Sequence, residues 1–139
     1  MTDEELENLE LSQTLDSEEN AIVVKGNRVT LREVLTAVHT AQQVDDRWIT
    51  KRFVDKYPVV TDDVIWELPT ILHASIEEGG GGKWLGYVVI VKESLRTLCS
   101  RGLVYVKIKF SHEAGKYLYY YGVTSKGKAF VNYNEKESS

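Results

Sequence analysis

Cysteine occurs once in the 139 residues, at Cys99. An internal disulfide is therefore excluded, and no cysteine–histidine cluster has the spacing of a zinc site. No apolar run reaches about 18 residues, so no helix legible in the sequence spans a membrane. The first residues are acidic rather than apolar, which argues against a secretory signal. Proline is confined to Pro58 and Pro69, and four of the ten glycines stand together at Gly79 to Gly82. What remains is ordinary globular material: 42% hydrophobic and 27% charged residues, enough apolar surface to build one core. These features predict a soluble, cytoplasmic protein of one domain with tails.

Charge is distributed unevenly. The formal net charge is -4, yet eight of the 21 acids fall within residues 1–20, which hold no base, so the remaining 17 bases face 13 acids. Residues 83–128 concentrate the excess, with nine bases opposed only by Glu93 and Glu113. Residues 1–20 read as an acidic, disordered, solvated tail. Such a block can also compete with a polyanion for the chain's own basic surface, or bind a basic partner.

Local patterns divide residues 21–133. Ala21 to Val24 and Arg28 to Thr30 read as short extended pieces around the Lys25-Gly26-Asn27 turn. Thr30 and Glu33 form a capping-box pattern for a helix over about 31–43, with Leu31, Val34, Leu35, Val38 and Ala41 on one stripe. A second helix runs from Asp45 or Asp46 to Tyr57-Pro58. A third begins at Thr61 and is interrupted by Pro69. The four glycines read as a flexible connection. They are no phosphate loop, because Trp84 follows Lys83 where a serine or threonine is required.

The pattern sharpens from Val91. Val91, Leu95, Leu98 and Cys99 share one helical stripe, with Lys92, Glu93, Arg96, Thr97 and Ser100 on the other side. Arg101 and Gly102 close that helix. Val104, Val106, Ile108 and Phe110 then alternate with Tyr105, Lys107 and Lys109, the period of a half-buried strand. A polar loop, Ser111 to Lys116, leads to a second strand, Tyr117 to Val123. Thr124-Ser125-Lys126-Gly127-Lys128 caps a short closing helix, and residues 134–139 read as a polar tail.

This order resembles the winged-helix family of DNA-binding domains, in its MarR- and PadR-like branches. There a recognition helix ends in Leu-x-x-Leu-x-x-Arg-Gly-Leu-Val, a β-hairpin wing follows, and the second wing strand runs into Leu-Thr-x-Lys-Gly. The matching residues are Leu95, Leu98, Arg101, Gly102, Leu103 and Val104, then Val123, Thr124, Lys126 and Gly127, within about residues 88–132. The resemblance implies an α+β fold: a mainly helical winged-helix domain over 21–133, with a C-terminal β-hairpin wing and extra N-terminal helices. It implies sequence-specific binding of double-stranded DNA, transcriptional regulation and a homodimer, for which the helices at 31–43 and 46–57 are available.

In the register that uses the bases, the helix of about 91–101 enters the major groove. Lys92, Arg96, Thr97, Ser100 and Arg101 then face DNA. Lys107, Lys109 and Lys116 ride on the wing, and Lys126 and Lys128 contact the backbone near a helix N-terminus. A competing register assigns reading to the helix from Thr61, which carries Asp62, Asp63 and Glu67. A second function class is a winged-helix module that binds another protein, such as an adapter or inhibitor of transcription machinery, through the acidic tail or the tyrosine-rich hairpin.

Tyr117, Tyr119 and Tyr121 share a strand face and read as core or interface; exposed, such rings stack on nucleobases. Trp48, Trp66 and Trp84 read as core anchors. No catalytic residue, metal or cofactor is expected. His39, His73 and His112 lack partners in sequence, and Cys99 lies on the apolar stripe, where a thiol is normally inert.

Overall fold

The computed structural model describes residues 2–24, 27–56 and 82–138, with side chains from 86 to 131 in the last segment. The helix expected from Thr61, with Trp66, Pro69 and His73, lies outside the described residues. So do Gly79 to Gly81 and the Lys25-Gly26 turn. The described chain is α+β and mostly helical, with five α-helices and two small antiparallel sheets.

The acidic N-terminus corrects the expectation of a disordered tail. Asp3–Asp16 forms helix α1. The Thr2 hydroxyl accepts from the Glu5 backbone N–H at 3.1 Å, and Asp3, Glu4 and Glu5 occupy the first turn, where the helix dipole favours anions. Leu11 and Leu15, one turn apart, are buried with Ser12. Their burial, and not the charge count, decides the state of this segment.

Strands β1 (Ile22–Val24) and β2 (Asn27–Val29) then pair antiparallel, with Ile22 opposite Val29. Thr30 caps helix α2 (Leu31–Ala41), its hydroxyl accepting from the Glu33 N–H at 3.2 Å. The expected stripe is buried, Leu31, Val34, Leu35 and Val38 completely or nearly so. This apolar face packs against α1, the C-terminal helices and the hairpin of the same chain.

Arg32 ties the termini to this centre. The residue is only 7% exposed. Nε and Nη2 donate to the two carboxylate oxygens of Asp16 at 2.7 and 3.1 Å. Nη2 also donates to the Ser12 hydroxyl and carbonyl, and Nη1 to the Phe130 carbonyl at 2.6 Å.

Strand β3 is two residues, Val44–Asp45, and helix α3 follows as Asp46–Lys56. The Asp45 carboxylate accepts from the Trp48 N–H at 2.8 Å, which caps α3. Ile49 and Phe53 point inward. Trp48 does not, against expectation: it is 41% exposed, with the Arg52 guanidinium 5.6 Å from its ring.

Helix α4 spans Gly82–Ser100 and so begins nine residues before the expected 91–101 helix. Gly86 and the β-branched run Val88 to Val91 disfavour helix locally. Tyr87, Ile90, Val91, Leu95 and Leu98 nevertheless bury against α2 and α3, and this packing overrides propensity. Gly102, at φ 74, ends the helix as expected. Its N–H donates to the Cys99 carbonyl and that of Leu103 to Leu98, the paired bonds of a Schellman motif.

The hairpin is β4 (Val104–Ser111) and β5 (Lys116–Val123), with Gly115 at φ 67 in its turn. Val104 faces Val123, Val106 faces Tyr121, Ile108 faces Tyr119, and Phe110 faces Tyr117. The short β3 pairs with the other edge of β5, Val44 with Tyr121 and Asp45 with Tyr120, giving the order β3-β5-β4. The Thr124 hydroxyl accepts from the Gly127 N–H at 3.0 Å and donates to the Gly102 carbonyl, capping helix α5 (Ser125–Ser138). A methyl group at Gly127 would run into the Leu103 carbonyl, so only glycine permits this approach. Helix α5 continues through the segment expected as a polar tail.

Candidate nucleic-acid interface

The outer face of α4 follows from the burial of its inner one. With Val91, Leu95 and Leu98 inward, Val89, Lys92, Glu93, Arg96 and Ser100 point away from the core. Arg96 donates to Glu93 at 2.8 Å, both side chains being about two-thirds exposed, so the pair is weak and readily exchanged for another anion. The Thr97 hydroxyl donates to the Glu93 carbonyl and the Ser100 hydroxyl to that of Thr97, which leaves both oxygens able to accept.

A groove opens beside this face. Because β3 covers only Tyr120 and Tyr121, the edge of β5 over Lys116 to Tyr119 faces the start of α3 and the side of α4. Lys92, Lys116 and Arg47 line this groove together with Asp45 and Asp46. Burial raises the Asp46 carboxyl above its ordinary range; Lys92 and Arg47 draw it back down, and Asp45 pushes it further up. Burial likewise pushes the Tyr121 hydroxyl up to about 12, with Asp46 adding to it.

The other expected contacts divide between two further surfaces. Arg101 and Lys126 line a cleft with Ser100 whose opposite wall is Glu7 and Glu10 of α1. Lys107 and Lys109 lie on the hairpin face turned away from α4. The Lys107 ammonium sits 5.4 Å from the Tyr105 ring; that of Lys109 sits 5.8 Å from Tyr120 and bonds to Gln43. Lys128 faces the same side, beside His39, Gln43 and Tyr105. The ten residues therefore do not form one surface. Lys92 and Lys116 converge with Arg47, which sequence reasoning missed because the approach of α3 to β5 is a tertiary event; Arg96 stands one turn further along α4 from Lys92.

The hairpin's other face carries the apolar parity. Val104 and Tyr121 at its base are buried, whereas Ile108 and Tyr117 further out are 61% and 69% exposed, with Phe110 and Tyr119 also open. Of the tyrosines expected in the core or at an interface, Tyr121 lies in the core, and Tyr117 and Tyr119 lie outside it. The Lys92 ammonium lies 5.3 Å from the Tyr119 ring, joining this face to α4.

Among the described residues no group of three histidine, cysteine or acidic side chains could hold a metal. None of their helices is long and apolar enough to cross a membrane. Cys99 is half-buried and burial raises its thiol pKa, the environment of a packing residue. Comparison of the chain with protein-family models, curated proteins and solved structures finds no match.

Proposed function

We propose that this chain is a winged-helix protein that binds double-stranded DNA and regulates transcription, with α4 against the major groove and the β4–β5 hairpin as the wing. The order α2, β3, α3, α4, β4, β5, with the sheet arranged β3-β5-β4, supports the architecture. The observation that carries the functional reading is the uncovered face of α4. Lys92, Arg96 and Ser100 sit there at one-turn spacing, with Lys116 and Arg47 across the adjoining groove. Arginine and lysine donate to guanine edges, and hydroxyls reach bases or phosphates. Two copies binding as a homodimer would meet half-sites one helical turn apart. Lys107, Lys109 and Lys128, on the other side of the sheet, are assigned to flanking phosphate rather than to base reading.

A mobility-shift titration against mixed genomic duplex fragments tests the reading. Binding should weaken steeply between about 50 and 200 mM salt. Arg96→Ala should flatten the preference among fragments, and equal discrimination before and after that substitution would remove α4 from the interface. A protein-binding module is the second reading. It draws on α1, where Leu6 stands exposed among acids and would suit a basic partner. Absence of any duplex shift, with α1 intact or with Glu7 and Glu10 neutralised, would favour it.

A further inference from the structure

We infer that the outward apolar face of the β4–β5 hairpin binds unpaired bases of a single-stranded nucleic acid. This goes beyond the duplex reading and does not depend on α4 entering a groove. Three rings, Phe110, Tyr117 and Tyr119, stand open on one side of two adjacent strands. Tyr117 and Tyr119 are alternate residues of β5, so their rings are set about 7 Å apart along the strand. Phe110 packs edge-to-face on Tyr117, with centroids 5.2 Å apart, which steadies the outer ring without covering its open face.

Cations flank the rings. The Lys92 ammonium lies 5.3 Å from the Tyr119 ring, and Lys116 precedes Tyr117 at the rim. A ring for the base with an ammonium beside it for the phosphate is the pairing a nucleotide requires, and it accepts any base, since every base has a π face.

A second copy of the chain fits this face less well. The ammonium groups of Lys92 and Lys116 rim the rings, so two such faces brought together oppose like charges there. The edge of β4, unpaired among the described residues, is also guarded. Antiparallel self-pairing centred on Ile108 would set Lys107 against Lys109 of the other copy. A polyanion meets neither obstacle.

The test uses the full chain and a fluorescein-labelled 12-nucleotide oligo-dT, with anisotropy read at low salt. Binding is expected, with quenching of tyrosine emission. Tyr117→Leu and Tyr119→Leu keep an apolar side chain but lose the ring, and each should weaken binding about five- to hundredfold. Tyr119→Phe, which keeps the ring, should stay within about twofold of the wild type. These side chains are exposed, so thermal melts should be unchanged and should certify each variant as folded. No binding of the oligonucleotide would overturn the inference, as would leucine variants that bind like the wild type. A dimer in sedimentation that Tyr119→Leu disperses would also overturn it, by assigning the face to a second copy.

Discussion

Arg32→Met leaves α1 and α5 without the donor they share. The guanidinium joins Asp16 of α1, the Ser12 hydroxyl and carbonyl, and the Phe130 carbonyl of α5. Methionine fills most of the volume, so the loss is polar. Asp16 is about half exposed and can rehydrate, which limits its share to roughly 1 kcal/mol. The Phe130 and Ser12 acceptors are buried, and stripping this donor from both costs about 1–3 kcal/mol together. The sum is about 3 kcal/mol, while Asp16→Asn should cost only about 1 kcal/mol. In urea, with a slope of about 1–3 kcal/mol per molar, Arg32→Met should move the unfolding midpoint down by about 1–3 M. Circular dichroism reads the midpoint directly. An Arg32→Met loss below about 1 kcal/mol, or an Asp16→Asn loss as large as that of Arg32→Met, would refute the clamp.

Three further outcomes follow from the geometry. The double variant Glu7→Gln, Glu10→Gln removes the acids facing Arg101 and Lys126 and should tighten duplex binding a few-fold at low salt; unchanged anisotropy titrations would mean that α1 does not compete with DNA. Asp46 has its carboxyl raised mainly by burial, so its ionised form opposes folding at neutral pH. The contribution of this group is therefore fully favourable below the ordinary carboxyl range and is lost as pH rises through the raised value. Asp46→Asn should melt higher than the wild type at pH 7, and the gap should close in acid; a lower melting temperature at pH 7 would mean that Lys92 and Arg47 hold the charge favourably. Cys99 should react with iodoacetamide far more slowly than a free thiol at pH 7.5, as mass spectrometry would read, because burial raises its pKa.

What could be read beforehand was local. The Thr30 cap, the α2 stripe, Gly102 as a helix end and the parity of both hairpin strands each depend on neighbours within a few residues. Helix α1 announced itself through the Thr2-to-Glu5 capping pattern and the Leu11–Leu15 pair, but eight acids masked that signal. The first half of α4 was illegible because Gly86 and Val88 to Val91 favour other conformations, and only contact with α2 and α3 reverses that preference. The candidate interface was half legible. Lys92, Arg96 and Ser100 share a helix face by spacing alone. Which way a hairpin face turns relative to α4 depends on tertiary packing, and so Lys107 and Lys109 were grouped with residues that lie across the sheet from them.

The central claim is that the uncovered face of α4 meets duplex DNA through its cations. Anisotropy titration of a labelled genomic duplex at several salt concentrations, for the wild type and for Lys92→Ala, Arg96→Ala together, tests it most directly. The account predicts a linear fall of log affinity with log salt, and a slope shallower by roughly 0.9 for each contact removed. A slope that the two substitutions leave unchanged, or no binding at the lowest salt, would contradict it.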